Sequence, residues 1–534
     1  MTKSQIPNPN VVADGVGENQ SESIPAIVAH WMLDHASTVL MILAALMAVQ
    51  ISANWKPDPD GVNYLSIARN LALHGRLERQ GMPHLYYAPG YAILISPAFF
   101  FGAFPFAEIG EIQLVFAVVL MLATYRWFAR YEPRGAIFVT AMVMVNVGFW
   151  DLFRQTRAEI AFMAALLGSA VLLASAAEAR TLRRFILTTA AAVVLVMLMC
   201  CIRQVGILLA GGYALTLLVR AMKKQMSWSR AIFGSGIVVA AATAVVIGLM
   251  LYDAHTAKLS GPDEVTYFQN RRDPNQSLQA QVVEGVRRQT AEIGRLVLPG
   301  MWKSYSRAGQ SFSFNTALYL IISAVIAVGW WKLMRETLDP LVATFPFYFL
   351  LFVVWPFDQG TRFTVPMLPV LAASVWYLLR PLGKNRQIVF VVLIVTHLCV
   401  SLGVWARDAS IVRSWNREWP AMQRVAANIP ADANLIVARE LRPEQWMFLA
   451  YLTDRRFTWT LIDEPIPARA GYVISPEDIA DAPGFEEMTS VEGLKIQRRI
   501  AQGYFVFNWR NPSDNIVRYS ISRHQQAPPT AVQR

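Results

Sequence analysis

Eleven long apolar runs divide the first 405 residues of the chain, and they restrict the fold more than any other feature of the sequence. An α-helix needs about 20 apolar residues to cross the hydrocarbon core of a bilayer. Inside that core only a helix or a closed barrel satisfies every backbone hydrogen bond. We therefore predict transmembrane helices at residues 36–53, 112–128, 136–150, 160–177, 185–202, 205–219, 231–252, 314–331, 341–355, 365–379 and 388–405.

The composition agrees with a membrane environment. Charged residues make up 16% of the 534 residues, against about 25% in soluble domains. The net charge of +11 does not indicate nucleic-acid binding, because the basic residues lie in short clusters between apolar runs. The three cysteines lie inside apolar runs, so we interpret them as small buried residues and predict no disulfide framework.

The basic clusters predict the orientation of the chain. They occupy alternate loops, which the positive-inside rule assigns to the cytoplasm. Residues 1–35 are then a polar cytoplasmic N-terminus, while segments 54–109 and 253–313 and the tail face outward. A further run at 91–106 contains two prolines and is predicted to be re-entrant or interfacial; if it crossed, the N-terminus would lie outside. The clusters are Arg126/Arg130/Arg134, Arg180/Arg183/Arg184, Arg220/Lys223/Lys224/Arg230, Lys332/Arg335 and Arg380/Lys384/Arg386.

The composition changes after residue 405, where long apolar runs end. Residues 406–534 are predicted to form a small extracytoplasmic α/β domain, disordered from about residue 523. The fold class is thus an all-α polytopic membrane protein of about 11 transmembrane helices, at 36–405, with this domain appended. Its strand-like stretches are 433–438, 471–475 and 504–509, and its helix-like stretch is 443–452.

Apolar residues recur at helical spacing over residues 278–297, in the second long outer segment. Basic Arg287, Arg288 and Arg295 flank them. The pattern predicts a helix, which is either an interfacial helix, a lid or a packed surface helix.

The first outer segment carries two carboxylates, Asp58 and Asp60, on either side of Pro59. After Asp60, apolar residues follow a 3–4 spacing as far as His74, which predicts an amphipathic helix at the membrane surface. Asp60 lies at the start of this helix, where Asp is favoured as an N-cap that stabilises by about 1 kcal/mol. The same carboxylate is also placed for proton transfer, and the sequence leaves both roles open.

Further charged residues lie where predicted helices reach the outer side. Arg154, Arg157 and Glu159 lie in a short outer turn; charges at this depth often belong to a functional path, and the alternative is an interfacial anchor or internal ion pair. Arg203 and Arg362 lie at the outer ends of two other helices. Two such arginines can bind one phosphate through charge-assisted hydrogen bonds, or they can snorkel to lipid headgroups.

The order and sidedness of these motifs resemble the C-type (GT-C) membrane glycosyltransferases. The most similar members are the dolichyl-phosphate-mannose protein mannosyltransferases and the bacterial transferases that place aminoarabinose on lipid A. The resemblance covers residues 36–405 and does not extend to the C-terminal domain. It rests on Asp60 with Tyr64, on Ala68-Arg69-Asn70-Leu71, on Tyr87-Ala88-Pro89-Gly90-Tyr91, and on Arg362-Phe363 with Pro366 and Pro369.

The resemblance implies a sugar donor linked to a polyprenyl phosphate, with no nucleotide sugar. We predict no required cofactor and identify no metal-ligating residues in the sequence. Asp60 matches the family's catalytic acidic position, and Glu159 matches a second acidic position where Asp is commoner. The expected catalytic residues are Asp60 and Glu159. Arg203 and Arg362 match residues that contact the donor phosphate. The remaining expected substrate-binding residues are Asp58, Tyr64, Tyr87 and Arg157.

The expected reaction takes place on the extracytoplasmic face of the cell (inner) membrane, with inversion, because one base assists a direct displacement. The expected partners are membrane lipid, the lipid-linked donor, and a glycan, lipid or protein acceptor, but not nucleic acid. Two other functions stay open. A transporter or flippase of lipid-linked intermediates would need paired repeats and charges at mid-membrane depth, and a non-catalytic assembly protein would bind partners through its tail.

Overall fold

A computed structural model describes residues 23–79, 82–83, 87–260, 277–298, 314–355, 360–431, 433, 435–460, 472–478, 485–492, 494–499, 505–506 and 522–523. The helices within these ranges are α1 Ile24–Asp34, α2 Ala36–Ala48, α3 Pro59–His74, α4 Gly90–Ile95, α5 Phe106–Ala129, α6 Pro133–Met144, α7 Val147–Phe153, α8 Glu159–Ala177, α9 Leu182–Ile202, α10 Ile207–Met222, α11 Trp228–Ser260, α12 Leu278–Val297, α13 Phe314–Thr337, α14 Pro340–Val353, α15 Leu368–Leu378, α16 Asn385–Asn416, α17 Trp419–Ala427 and α18 Pro443–Thr453. Short 3-10 segments include Ser96–Phe100, Gln204–Gly206 and Gly360–Phe363.

Each predicted apolar run coincides with a helix, but fewer helices are long enough to cross a membrane. Among the described residues, seven helices are long and apolar enough, or nine if the bent pairs α1–α2 and α6–α7 each form one span. The pairs bend by 98° and 56°. Helices α14 and α15 are shorter, since 14 residues at 1.5 Å each span only about 21 Å of a core about 30 Å thick. The predicted number of eleven is therefore not confirmed.

Helix α12 confirms the helical spacing at 278–297. Its first half is partly exposed and its second half is buried. Its last turns, Ala291–Val297, are buried against α13 and α14. Two glycines permit this packing. A Cβ atom at Gly285 would lie 1.8 Å from the carbonyl oxygen of Val353, and one at Gly294 would lie 2.5 Å from that of Tyr319. These glycines bring the backbone of α12 against its neighbours, which favours the packed helix among the three alternatives.

Helix α3 is likewise not the amphipathic surface helix that its 3–4 spacing predicted. Most of its side chains are buried, including the polar Ser66 and Asn70. The helix packs against α4 and Ser96–Phe100 on one side and against α18 of the C-terminal region on another. Polar residues are buried here because they face the C-terminal region rather than water.

The C-terminal region contains a five-stranded sheet. Strand β3 pairs in parallel with β4 and β5, and α18 connects β3 to β4; β7 lies antiparallel between β5 and β6. The predicted strands at 433–438 and 471–475 are confirmed by β3 and β5. Of the predicted strand 504–509 only 505–506 are described, and the expected disorder after residue 523 lies outside the described residues. The strands are β1 Glu78–Arg79, β2 Met82–Pro83, β3 Leu435–Arg439, β4 Arg456–Thr460, β5 Tyr472–Pro476, β6 Phe485–Val491, β7 Leu494–Arg499, β8 Phe505–Val506 and β9 Ser522–Arg523.

Candidate active site

The N-terminus of α3 places two carboxylates in different environments. Pro59 occupies the first helical position, where its missing N–H costs nothing and its fixed φ suits the helix. Asp58 is therefore the N-cap, and its Oδ1 accepts the N–H of Gly61 at 2.9 Å. The interpretation of Asp60 as N-cap is wrong. Asp60 lies in the first turn of α3, and its carboxylate does not cap the helix.

Asp58 is a buried structural partner of Arg157. The Nε of Arg157 lies 2.9 Å from Asp58 Oδ1, and Asp58 is 5% exposed. Burial raises the pKa of Asp58, and Arg157 lowers it in part. Gly61 lies tightly against this pair, because a Cβ there would lie 2.5 Å from Asp58 Oδ2 and would displace that carboxylate. The two residues predicted as substrate-binding thus bind each other and join the start of α3 to the turn before α8.

Asp60 faces a tyrosine and an arginine. The hydroxyl of Tyr87 donates to Asp60 Oδ1 at 2.7 Å, and Nη2 of Arg362 forms an ion pair with Oδ2. Burial, together with the neighbouring Asp60, raises the pKa of Tyr87 well above its ordinary value, so its hydroxyl stays protonated and remains a donor. The side chain of Asp60 is 17% exposed, which leaves it accessible from outside the protein.

Glu159, the first residue of α8, lies beside Asp60 but is fully buried. Its Oε1 accepts from Nη2 of Arg203 at 2.6 Å and from Nε of Arg362. Arg362 therefore bridges the two carboxylates. Burial disfavours the charge of Arg362, but Glu159 and Asp60 outweigh it and raise the pKa of Arg362, which stays cationic.

The arginines share an aromatic neighbour that the sequence did not identify as a site residue. The guanidinium carbons of Arg203 and Arg362 lie 5.6 Å and 5.5 Å from the ring centroid of Phe363, within the range of a cation–π contact. Phe363 follows Arg362 in the motif on which the resemblance rests. That motif could have identified Phe363 as a site residue.

Three tyrosines, Tyr64, Tyr87 and Tyr91, pack together next to Asp60. Tyr64 lies edge-to-face with Tyr87 at 5.1 Å and with Tyr91 at 5.0 Å between ring centroids. The hydroxyl of Tyr91 accepts from Gln113 at 2.8 Å, a contact that no sequence motif indicated. Gly90 allows α4 to reach the C-terminal end of α9, because a Cβ at Gly90 would lie 2.6 Å from the backbone of Cys201.

Arg154 belongs to a separate network. It contacts Asp408 at 3.1 Å, and Lys56 contacts Asp408 at 3.1 Å and Asp151 at 2.7 Å. The internal ion pair considered for Arg154 is the arrangement that the structure contains.

The cluster as a whole is electrically balanced. Asp58, Asp60 and Glu159 face Arg157, Arg203 and Arg362, so three carboxylates meet three guanidiniums. Within the described ranges, no three His, Cys, Asp or Glu side chains come together in a way that would hold a metal ion. The arrangement can accept a proton at Asp60 and can bind an anion at the two arginines next to it.

No protein-family model matches the sequence, and no curated protein matches it. Solved structures do match the fold. ArnT from Cupriavidus metallidurans bound to undecaprenyl phosphate superimposes with a TM-score of 0.55 at 11% identity, over 87% of this chain and 98% of that one. Its apo state gives 0.54 at 11% identity, over 88% and 98%.

The oligosaccharyltransferase of Archaeoglobus fulgidus in the apo form gives a TM-score of 0.50 at 13% identity, over 82% of this chain and 69% of that one. Both proteins are GT-C glycosyltransferases. The resemblance drawn from short motifs is therefore confirmed at the level of the fold, across most of the chain.

Proposed function

We propose that this chain, which has the fold of the GT-C glycosyltransferases, moves a sugar from a polyprenyl-phosphate donor to an acceptor hydroxyl on the extracytoplasmic face of the inner membrane. The observation that carries the proposal is the bridge made by Arg362 between Asp60 and Glu159, with Arg203 beside it. Four chain segments bring the partly exposed carboxylate of Asp60 against Arg362 and link it, through Glu159, to Arg203. That pairing suits a reaction that needs both a base and an anion site.

Asp60 is the general base of the proposed reaction. An acceptor hydroxyl is a weak nucleophile near neutral pH, so a carboxylate takes its proton as the new bond forms. Glu159 is fully buried between two arginines, whereas Asp60 is 17% exposed. Tyr87 occupies Oδ1 of Asp60 and Arg362 occupies Oδ2, which fixes the plane of the carboxylate.

The leaving group is the polyprenyl phosphate. The acceptor oxygen forms a bond to the anomeric carbon, the bond from that carbon to the phosphate oxygen breaks, and the electron pair leaves with the phosphate. The proton passes to Asp60. The phosphate is already a stable anion, so it needs cations rather than an acid, and Arg203 and Arg362 supply them. A single displacement of this kind inverts the anomeric carbon.

The donor class is supported by one structural neighbour, since ArnT from Cupriavidus metallidurans was solved bound to undecaprenyl phosphate. The acceptor is a hydroxyl of a glycan, lipid or protein. The C-terminal sheet region is proposed to lie on the same, extracytoplasmic side as Asp60, because α18 packs directly on α3.

The test is Asp60→Asn. Asn is nearly isosteric, and α3 keeps its N-cap because Asp58 provides it. The amide cannot take a proton at working pH, so transfer should fall by about 10²–10⁴-fold. Mass spectrometry of lipids, surface polysaccharides and proteins would identify the product in cells that express the wild-type chain and its loss in the variant.

The matched control is Asp478→Asn, which changes an exposed carboxylate of the C-terminal region. It should transfer as the wild type does. A folded, membrane-inserted Asp60→Asn protein that keeps normal transfer would refute Asp60 as the base. Identical products in cells with and without the wild-type chain would refute the transferase proposal itself.

A further inference from the structure

Asp454, at the end of α18, is a residue of the C-terminal region that contacts α3, the helix that carries Asp60. Asp454 adopts a left-handed backbone conformation with φ of 52°, which Asp tolerates better than most residues because its side chain bonds locally. The turn directs the chain into β4 and leaves the carboxylate against α3.

Three side chains on one face of α3, those of Ser66, Arg69 and Asn70, bind the carboxylate of Asp454. Oδ1 accepts the hydroxyl of Ser66 at 2.5 Å and lies 3.2 Å from Nη2 of Arg69, while Oδ2 accepts the amide of Asn70 at 2.9 Å. The spacing of three and four residues places all three donors on the same side of the helix. Both oxygens of Asp454 are therefore engaged by α3.

Arg69 extends the contact to the body of α18. Its Nη1 donates to the carbonyl oxygen of Tyr451 at 3.0 Å, and its guanidinium lies 5.0 Å from the centroid of that ring. The Tyr451 hydroxyl in turn donates to the carbonyl of Ala103 at 2.6 Å. The end of α18 is thus tied both to α3 and to the segment between α4 and α5.

Helix α3 is consequently held at two levels. Its N-terminus is anchored by the buried pair of Asp58 and Arg157, and its middle is anchored by Asp454 through Ser66. Asp60 lies between the two anchors, six residues or about 9 Å from Ser66 along the helix axis. Two anchors on one rigid helix fix its rotation as well as its position, and the rotation decides where the Asp60 carboxylate points.

We infer that Asp454 is a positioning residue, through which the C-terminal region sets the orientation of α3 and hence of Asp60. The catalytic part of this inference rests on the proposed function, whereas the restraint on α3 does not. Asp454 itself touches no reacting group.

The test uses the full-length protein in detergent or nanodiscs and two independent measurements. Asp454→Asn keeps a residue that tolerates the left-handed turn but loses the charge that binds Arg69. Ser66→Ala removes one hydrogen bond without changing charge, so it decides the case if Asp454→Asn fails to fold. Asp478→Asn, on the exposed surface of the same region, is the matched control.

Amide hydrogen exchange across residues 59–74 should become about tenfold faster in both variants and stay unchanged in the control. In an assay of sugar transfer, kcat should fall about tenfold in Asp454→Asn and Ser66→Ala, while KM for the polyprenyl-phosphate sugar stays constant. A loss of folding alone would lower the active fraction without changing exchange in the protein that remains folded.

Unchanged exchange in α3 in both variants would overturn the inference. So would an increase in donor KM at constant kcat, because it would place Asp454 in donor binding. If exchange rises but wild-type protein transfers no sugar, the proposed function fails while the restraint on α3 is supported.

Discussion

Glu159 carries a carboxylate that is fully buried in the site. A buried charge survives only when it is paired and hydrogen-bonded, and Glu159 has Arg203 and Arg362 against one oxygen. Removing one member of a buried charge cluster commonly destabilises by about 3–5 kcal/mol. We therefore propose that Glu159 positions Arg203 and Arg362 in the site.

A variant of Arg203 separates donor binding from folding. Arg203→Ala should raise KM for the polyprenyl-phosphate donor by about 10–100-fold, since a hydrogen bond to a charged group contributes about 1.5–3 kcal/mol. Arg362 remains to pair with Glu159, so the protein should still fold. Initial rates at varied donor concentration, with thermal unfolding in detergent, would measure both quantities.

Arg413→Ala is the control for this prediction. Arg413 is exposed near the end of α16, where its guanidinium bonds only the carbonyl of Ala409 among the described residues. It should leave donor KM unchanged. Equal KM values for the wild type, Arg203→Ala and Arg413→Ala would indicate that Arg203 does not contribute to donor binding.

At the scale of elements, the contact of α4 with α9 joins two parts of the site. Gly90 begins α4 and lies against the backbone of Cys201 near the end of α9, two residues before Arg203. Tyr91, the next residue, packs on Tyr64 of α3. The close contact at Gly90 thus links Tyr91 and Tyr64 to the end of α9 that carries Arg203.

Gly90→Ala should destabilise the protein by about 1–3 kcal/mol, the usual cost of forcing extra volume into a packed contact. Its Cβ would meet backbone atoms at 2.6 Å, which cannot rotate away. The expected result is a lower Tm and weaker transfer. Gly236→Ala, at a helical position with no atom within 4 Å of the added Cβ, should not lower Tm. Equal Tm values for both variants would contradict the packing argument.

At the scale of the whole molecule, the charge pattern and the position of the candidate site predict the same orientation of the chain in the membrane. The basic clusters of the loops lie at one end of the predicted spans, and Asp60, Arg203 and Arg362 lie in segments predicted to reach the other end. The C-terminal region contacts α3 and therefore belongs to the side that carries Asp60.

Cysteine labelling tests this orientation in a background without Cys200, Cys201 and Cys399. Lys223→Cys and Lys384→Cys should react with a membrane-impermeant thiol reagent only after the membrane is opened, and Asp478→Cys should react in intact spheroplasts. All three positions are exposed. Labelling of position 478 only after permeabilisation would reject the orientation and, with it, the extracytoplasmic site.

Local sequence patterns predicted much of the architecture. Apolar runs coincide with helices, and the spacing at 278–297 gave α12 with its observed bounds. Short motifs also led to Asp60, Glu159, Arg203 and Arg362, which the structure brings together. These predictions succeed because helix formation and apolar periodicity depend on neighbouring residues.

The tertiary structure alone decided how those elements and side chains meet. Arg157 pairs with Asp58 across 99 residues, and Arg362 pairs with Glu159 across 203. No local pattern encodes such distances. The sequence therefore could not tell that Asp58 is a buried cap, that the second half of α12 is buried, or that Asp454 binds α3. Which residues become partners depends on which backbones approach closely. Here the glycines at 90, 285 and 294 permit close backbone contacts that only the folded chain makes apparent.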